Sequence, residues 1–238
     1  GGSHLLTAAL DLGGSYVFSD SVSLYIRPTM KLSGSCLDPQ GDDTGPSGRA
    51  YTLPTNNTFA THLEDILGVE VFTAGPDMEI SVTMRDTSTV WAPTINNFDH
   101  VLFNIFIRKK SSASTVSALP LFNYTIPFAW DYHIKEEGWN SAMYGCTGAS
   151  ASSNGSSISP APTSRVDHAN HVITFIIPGS ALGSPPSLSG WQIYIATWDA
   201  DMGNPRGLTA TGGVWSFGGG NGKVDPLVID ETSVITLD

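Results

Sequence analysis

The chain has 238 residues, of which only 14% are charged, and 22 acidic against 11 basic residues give a formal net charge of −11. Its cluster of cations, Arg108-Lys109-Lys110, is too small to form the basic patch that binds nucleic acid or an anionic membrane, so both partners are excluded. No apolar stretch is long enough for a transmembrane helix, and the length suits one large β domain.

The first residues, Gly1-Gly2-Ser3-His4, resemble the remnant of a cloning tag, so the absence of a signal peptide is uninformative. Residues 5–32 then carry short β-prone runs such as Ser23-Leu24-Tyr25-Ile26, with turn signals at Gly13-Gly14 and Asp20-Ser21. We expect this segment to supply extra strands or to be the end of a preceding domain.

An acidic stretch, Asp38–Pro46, places three carboxylates within six residues, together with two glycines and two prolines. Glycine and proline fix sharp backbone turns, which allows these carboxylates to converge. Converging hard oxygen ligands without cysteine or histidine nearby suit calcium, although a plain solvated turn draws on the same residues.

The central part of the chain shows strand patterns. Residues 69–73 and 78–84 predict a hairpin around Ala74-Gly75-Pro76-Asp77, and the alternation of its second arm indicates one buried and one wet face, with Met78 and Met84 in the core. Val101–Ile107 is almost wholly apolar, which predicts a central strand buried on both faces. Residues 147–164 are rich in Ser, Gly, Ala and Pro and predict a flexible insertion loop.

Further strands are predicted at residues 171–177, 191–198 and 224–229, and Asp199–Asn204 is expected to be a second acidic loop. No amphipathic helix of three turns is present in the sequence. We therefore predict an all-β fold, an antiparallel β-sandwich of the jelly-roll or immunoglobulin-like kind, formed by residues 5–238 as a single domain.

The run Asp38–Asn56, DPQGDDTGPSGRAYTLPTN, resembles the opening of the glucodextranase C-terminal module, which is typified by a DPxGDDxGPGxYxYPTN segment. That family is related to the DOMON and family 9 carbohydrate-binding folds. Three later segments follow in the expected order: Trp130-Asp131-Tyr132 with Glu137-Gly138-Trp139, then Ile176–Gly183, then Trp215–Gly220. The resemblance implies a DOMON-like β-sandwich that accompanies secreted α-glucan-active enzymes and binds carbohydrate or the cell surface.

The resemblance also extends the expected calcium site. Asp65 corresponds to the Asp of a Phe-Asp-Ile/Leu element in the family. The alternative interpretation of Asp65 is an Asx turn before a strand. We predict a structural calcium ion whose side-chain ligands are Asp38, Asp42, Asp43 and Asp65.

Sugar binding needs flat aromatic faces for the apolar side of a pyranose and planar polar groups for its hydroxyls. Tryptophan and tyrosine also dominate β cores, so core packing is the alternative for each aromatic candidate. Asp199 and Asp201 are alternatively a second calcium site or a plain turn. The predicted carbohydrate-binding residues are Trp130, Asp131, Tyr132, Glu137, Trp139, Trp91, Asp199 and Asp201.

From these features we predict a secreted, non-catalytic module that binds an α-glucan or related polysaccharide and is attached to a glycoside hydrolase. One rival is an enzyme that acts on carbohydrate through a carboxylate pair. The other is a haem-binding electron-transfer domain of the DOMON type, for which the sequence signals no ligand pair.

Two covalent features are expected of an exported chain. Cys36 and Cys146 are predicted to form a disulfide, with two separate thiols as the alternative. Sequons at Asn56, Asn123 and Asn154 are candidate glycosylation sites in a eukaryotic host.

Overall fold

The computed structural model describes residues 29–46, 49–201, 203–222 and 224–238, and before them only the backbone of four short strands. These strands are β1 (Gly2–Leu6), β2 (Ala9–Asp11), β3 (Tyr16–Phe18) and β4 (Val22–Ile26). β1 pairs antiparallel with β4, and β2 with β3, in two separate two-stranded sheets. The turns predicted at Gly13-Gly14 and Asp20-Ser21 lie outside the described residues.

The rest of the chain is built from antiparallel strands and one short 3-10 helix, Asn57–Thr61. The strands are β5 (Lys31–Leu37), β6 (Ile66–Ala74), β7 (Asp77–Met84), β8 (Val101–Arg108), β9 (Ala118–Leu119), β10 (Tyr124–Thr125), β11 (Tyr132–Glu137), β12 (Asn140–Gly145), β13 (Ser156–Ile158), β14 (Thr163–Asp167), β15 (Val172–Ile177), β16 (Gln192–Asp201), β17 (Asn204–Pro205), β18 (Asp230–Glu231) and β19 (Ile235–Thr236).

Two sheets carry the architecture. The larger sheet has the order β13-β12-β11-β8-β16-β17, with β18 and β19 also paired to β16, and the smaller has the order β14-β15-β7-β6-β5. This arrangement confirms the predicted all-β, sandwich-like fold. Within the part of the chain that the structure describes, no helix combines the length and the apolar character needed to span a membrane.

The larger sheet is buried on both faces. Its strand β8 therefore does not alternate between apolar and polar residues. Phe103 and Ile105 face the core between the two sheets, whereas Leu102 and Phe106 belong to a second apolar cluster. That second cluster is completed by loop residues such as Phe122. The predicted central strand is therefore confirmed, because a strand that is buried on both faces is apolar at nearly every position.

The smaller sheet has one buried face. β6 and β7 form the predicted hairpin, closed at Ala74 and Asp77, and alternate residues of β7 are buried. Met78 and Met84 are buried in the core between the sheets, as predicted. Alternation of buried and less buried residues is expected in an antiparallel sheet that has one face toward solvent.

Three local predictions are wrong. The strand expected at residues 224–229 is not formed, because this segment has irregular backbone and the next strand, β18, begins at Asp230. Residues 147–164 are not a structureless loop, because β13 pairs with β12 and β14 begins at Thr163. Backbone hydrogen bonds to neighbouring strands organise this segment, and Ile158 packs against the core between the sheets. The expected loop at Asp199 is instead strand, because β16 stays paired with β8 as far as Asp199 and with β17 as far as Asp201.

A tryptophan cleft and an acidic loop as candidate functional sites

One end of the larger sheet carries a cleft of about 520 Å³ lined by Trp91, Trp139, Asp201, Arg206 and Trp215, which we call the tryptophan cleft. Trp91 comes from the β7–β8 connection between the two sheets, Trp139 from the β11–β12 turn, Arg206 and Trp215 from the β17–β18 connection, and Asp201 from the end of β16. The register explains their convergence, since the beginning of β8 lies beside the end of β16 and the end of β11 lies beside the beginning of β8.

The three indoles of the cleft lie close together. The ring centroid of Trp91 is 6.4 Å from that of Trp139 and 5.8 Å from that of Trp215, with interplanar angles of 34° and 37°. Trp215 is 45% exposed. Together these rings offer an inclined apolar surface that a ligand can reach from solvent.

Trp91 is held by its own loop. Its backbone N–H donates to Asp99 Oδ2 at 2.5 Å, and its ring lies against the buried His100 ring, 3.8 Å between centroids. Asp99 and His100 come directly before β8, so the sheet fixes the position of this indole.

Arg206 forms the polar floor of the cleft and is only 8% exposed. Its guanidinium carbon lies 5.2 Å from the Trp91 ring centroid and 5.6 Å from that of Trp215, within cation–π range. Nε donates to the fully buried Asp199 carboxylate, and Nη1 donates to the Trp215 carbonyl at 3.4 Å. Nη2 is buried and has no hydrogen-bond partner among the described residues. That nitrogen is therefore an unsatisfied donor at the base of the cleft.

Buried ionisable groups lie behind Arg206. His100 Nδ1 is 3.1 Å from Asp199 Oδ2. The Asp199 carboxylate therefore contacts both Arg206 and the His100 ring that packs against Trp91. Glu64 is fully buried, and both its burial and the negative charge of Asp199 raise the pKa of its carboxyl well above the usual range. Burial and the charge of Asp199 thus favour the neutral form of the Glu64 carboxyl.

The acidic loop, residues 38–46, forms the second candidate site, and the structure divides the four predicted calcium ligands between two groups. Asp38 and Asp42 converge with Asp230, whereas Asp43 and Asp65 converge with His62. In each group, one ligand atom of every residue lies within 4.8 Å of the others.

In the first group, no carboxylate forms an ion pair with a cation of the described residues. Asp38 Oδ2 is buried with no hydrogen-bond partner in the described part of the chain. Burial, followed by the charges of Asp42 and Asp65, raises the pKa of Asp38 to about 7. Burial and the charges of Asp38 and Asp42 raise the pKa of Asp230 to about 8, although Asp230 accepts from the backbone N–H of Ile66 at 2.7 Å. A crowded set of hard oxygens of this kind suits a divalent cation.

With this geometry in place, the comparison with known families is informative. A model of the family described as the C-terminal, SLH-like binding module of glucodextranase matches residues 34–235. The chain belongs to this family. No curated protein matched the chain. The match covers both sheets, the tryptophan cleft and the acidic loop of the module, which confirms the resemblance found in the sequence.

The predicted carbohydrate-binding residues of the module have different positions. Trp91, Trp139 and Asp201 line the cleft, and Asp199 lies behind it. The remaining predicted residues have structural contacts: Trp130 is fully buried and donates through its indole N–H to the Ala118 carbonyl, Tyr132 donates to the Leu182 carbonyl, Glu137 accepts from Gly203, and Asp131 accepts from Lys109.

Several residues of the two candidate sites were not predicted from the sequence. Trp215 opens one of the segments that carries the resemblance, so a signal for it was present. Arg206 stands out only as a cation in a chain that has few of them. His62 and Asp230 are distant in sequence from the acidic loop, and no local pattern connects them with it.

The cysteines of the module are free thiols, contrary to the predicted disulfide. Cys36 packs against the core between the sheets, whereas Cys146 packs against the second cluster on the other face of the larger sheet. Of the three sequon asparagines, Asn123 is exposed, whereas Asn56 and Asn154 are half-buried. Asn56 caps the 3-10 helix by accepting from the Thr58 N–H.

Proposed function

We propose that the tryptophan cleft is a non-catalytic binding site for an α-glucan or related polysaccharide. The observation that carries this proposal is the combination of three clustered indoles with a buried Arg206 nitrogen that lacks a partner. Indole faces take the C–H side of a pyranose, and directed donors and acceptors take its hydroxyls. Arg206 Nη2 supplies the donor and the exposed Asp201 supplies the acceptor.

The electrostatics of the cleft favour a neutral ligand. The charge of Arg206 is already balanced by Asp199, and Asp201 adds a negative charge at the surface. An anionic polysaccharide would therefore meet no excess of positive charge.

Exposed apolar residues lie close in the chain to the indoles of the cleft. Val90, next to Trp91 in the chain, is 66% exposed, and Val214, next to Trp215, is 55% exposed. Ile95, in the same loop as Trp91, is 76% exposed. A group of exposed apolar side chains around a cleft is typical of an interaction site and suits a ligand longer than one sugar ring.

We also propose that the first acidic group binds a structural calcium ion. Asp38, Asp42 and Asp230 supply only oxygen donors, and the unpartnered Asp38 Oδ2 is a coordination position without another role. A cation here ties the acidic loop to β18, which lies against β16 at the centre of the larger sheet.

In the proposed biological setting, the module is part of a secreted chain and lies beside a glycoside hydrolase. It then raises the local concentration of the enzyme at the polysaccharide. Glycoside hydrolysis by the module itself needs two carboxyl groups flanking a bond, and Asp201 is the single carboxylate among the described residues that line the cleft. Catalysis is therefore not part of the proposal.

Calorimetric titration with maltooligosaccharides and isomaltooligosaccharides tests the proposal, with reducing ends assayed in the same samples. We expect saturable heat without new reducing ends. Trp139→Ala is expected to remove the heat, whereas Leu121→Ala, which changes an exposed apolar residue that does not line the cleft, is expected to retain it. Binding that survives both Trp139→Ala and Trp215→Ala would place the site elsewhere.

A further inference from the structure

The second acidic group, Asp43, His62 and Asp65, has no role in the function proposed above. We propose that it is a separate divalent-cation site with a mixed imidazole and carboxylate ligand set, of the kind that binds Zn²⁺ or Mn²⁺. The inference does not depend on sugar binding, and it rests on the ligand geometry, on an unsatisfied buried oxygen and on the local charge.

His62 and Asp43 lie within hydrogen-bond distance of each other. His62 Nδ1 lies 2.9 Å from Asp43 Oδ1 and 2.7 Å from Oδ2, so it does not select one carboxylate oxygen. Metal–ligand bonds of about 2.1 Å at tetrahedral angles place neighbouring donor atoms roughly 3.4 Å apart, so the two side chains need to separate by less than about 1 Å to hold one ion. His62 is 32% exposed in its side chain, which gives an ion a path from solvent.

Asp65 supplies an oxygen that lacks a partner. Its side chain is fully buried, and Oδ2 accepts from the Gly41 N–H at 2.8 Å and from Arg85 Nη1 at 3.2 Å. Oδ1 is buried and has no hydrogen-bond partner among the described residues. A buried carboxylate oxygen needs a donor or a cation, and this carboxylate converges with Asp43 and His62.

The negative charge of the two acidic groups is larger than one divalent cation neutralises. The two acidic groups contain five carboxylates, and Arg85 is the permanent cation in contact with them in the described structure. One divalent ion in the first group leaves an excess of two negative charges, and a second divalent ion balances it. The burial of Asp43 and Asp65 makes that balance important, because buried charges are stable only when they are paired.

The donor types separate the two sites chemically. The first group offers oxygen ligands alone and suits calcium, whereas the imidazole nitrogen of the second group favours transition-metal dications. The two sites are therefore distinguishable by probe ions on the full chain.

The experiment uses chelator-treated protein titrated with Ca²⁺, and separately with Co²⁺ as a visible probe for a Zn²⁺-type site. We expect one class of Ca²⁺ site and one separate class of Co²⁺ site with ligand-field bands. His62→Gln is expected to weaken Co²⁺ binding at least tenfold and to leave Ca²⁺ affinity within twofold. Asp230→Asn is expected to have the reverse effect. His168→Gln is the matched control, because that imidazole contacts Thr87 instead.

Two outcomes would overturn the inference. One is Co²⁺ binding that is absent, or that His62→Gln leaves unchanged in a protein whose far-UV spectrum is native. If His62→Gln does not fold, pulsed electron paramagnetic resonance of the Mn²⁺-loaded wild-type chain decides: coupling to one imidazole nitrogen supports the site, and its absence contradicts it. Loss of sugar binding in the cleft would leave these readouts unaffected, so the two proposals fail separately.

Discussion

Arg206→Met should lower the free energy of unfolding strongly, because it leaves the Asp199 carboxylate buried without its main cation. Asp199 is fully buried, and Arg206 is 8% exposed. Removing one partner of a buried ion pair typically costs about 3–5 kcal/mol. The lost contacts of the guanidinium with the Trp91 and Trp215 rings add about 0.5–1 kcal/mol each. We expect a total loss of roughly 4 kcal/mol or more from these contributions.

The matched control is Arg165→Met, which breaks the pair with Glu79 on the surface. The Arg165 side chain is 58% exposed, and exposed pairs contribute about 0–1 kcal/mol. Urea unfolding with linear extrapolation measures both variants. The double variant Asp199→Asn with Arg206→Met should recover part of the loss, because it removes the unpaired charge. A cost for Arg206→Met no larger than that of Arg165→Met would refute this reasoning.

The other predictions concern the cleft, the acidic loop and one turn. Trp215→Ala should weaken oligosaccharide binding at least tenfold in calorimetry, while Leu121→Ala should not, because only Trp215 lines the cleft. The raised pKa values of Asp38, about 7, and Asp230, about 8, mean that the native state without metal binds more protons than the unfolded chain between pH 4 and these values. Stability in chelator should therefore fall as the pH rises through this window, whereas saturating Ca²⁺ should remove the decline; equal pH dependence with and without Ca²⁺ would contradict the site. Gly45→Ala should lower the melting temperature more than Gly75→Ala. Both glycines have positive φ, but a Cβ on Gly45 would overlap the Tyr51 ring, whereas one on Gly75 meets open space.

Elements with a strong local pattern were predictable from the sequence. The hairpin of β6 and β7 and the apolar strand β8 follow from alternation and from burial on two faces, which are properties of neighbouring residues. Asp38 and Asp42 were predicted because the turn residues around them bring them together. Their third partner, Asp230, lies near the other end of the chain and is placed by the pairing of β18 with β16.

The aromatic residues show where sequence reasoning reaches its limit. Trp130 and Trp91 were both predicted to bind sugar, yet Trp130 packs in the second cluster and Trp91 lines the cleft. The face that each residue presents depends on strand register and on which loops cover the larger sheet. The cysteines follow the same logic, because their packing on opposite faces of that sheet depends on the fold and not on local composition.

The central claim is that sugar binds across the indoles of the tryptophan cleft. The most direct test follows the six indole N–H signals of the ¹⁵N-labelled module by NMR as an α-glucan oligosaccharide is added. Binding at the cleft predicts progressive shifts for Trp91, Trp139 and Trp215, and none for the fully buried Trp130. Saturable binding that leaves the three cleft signals unmoved would contradict it.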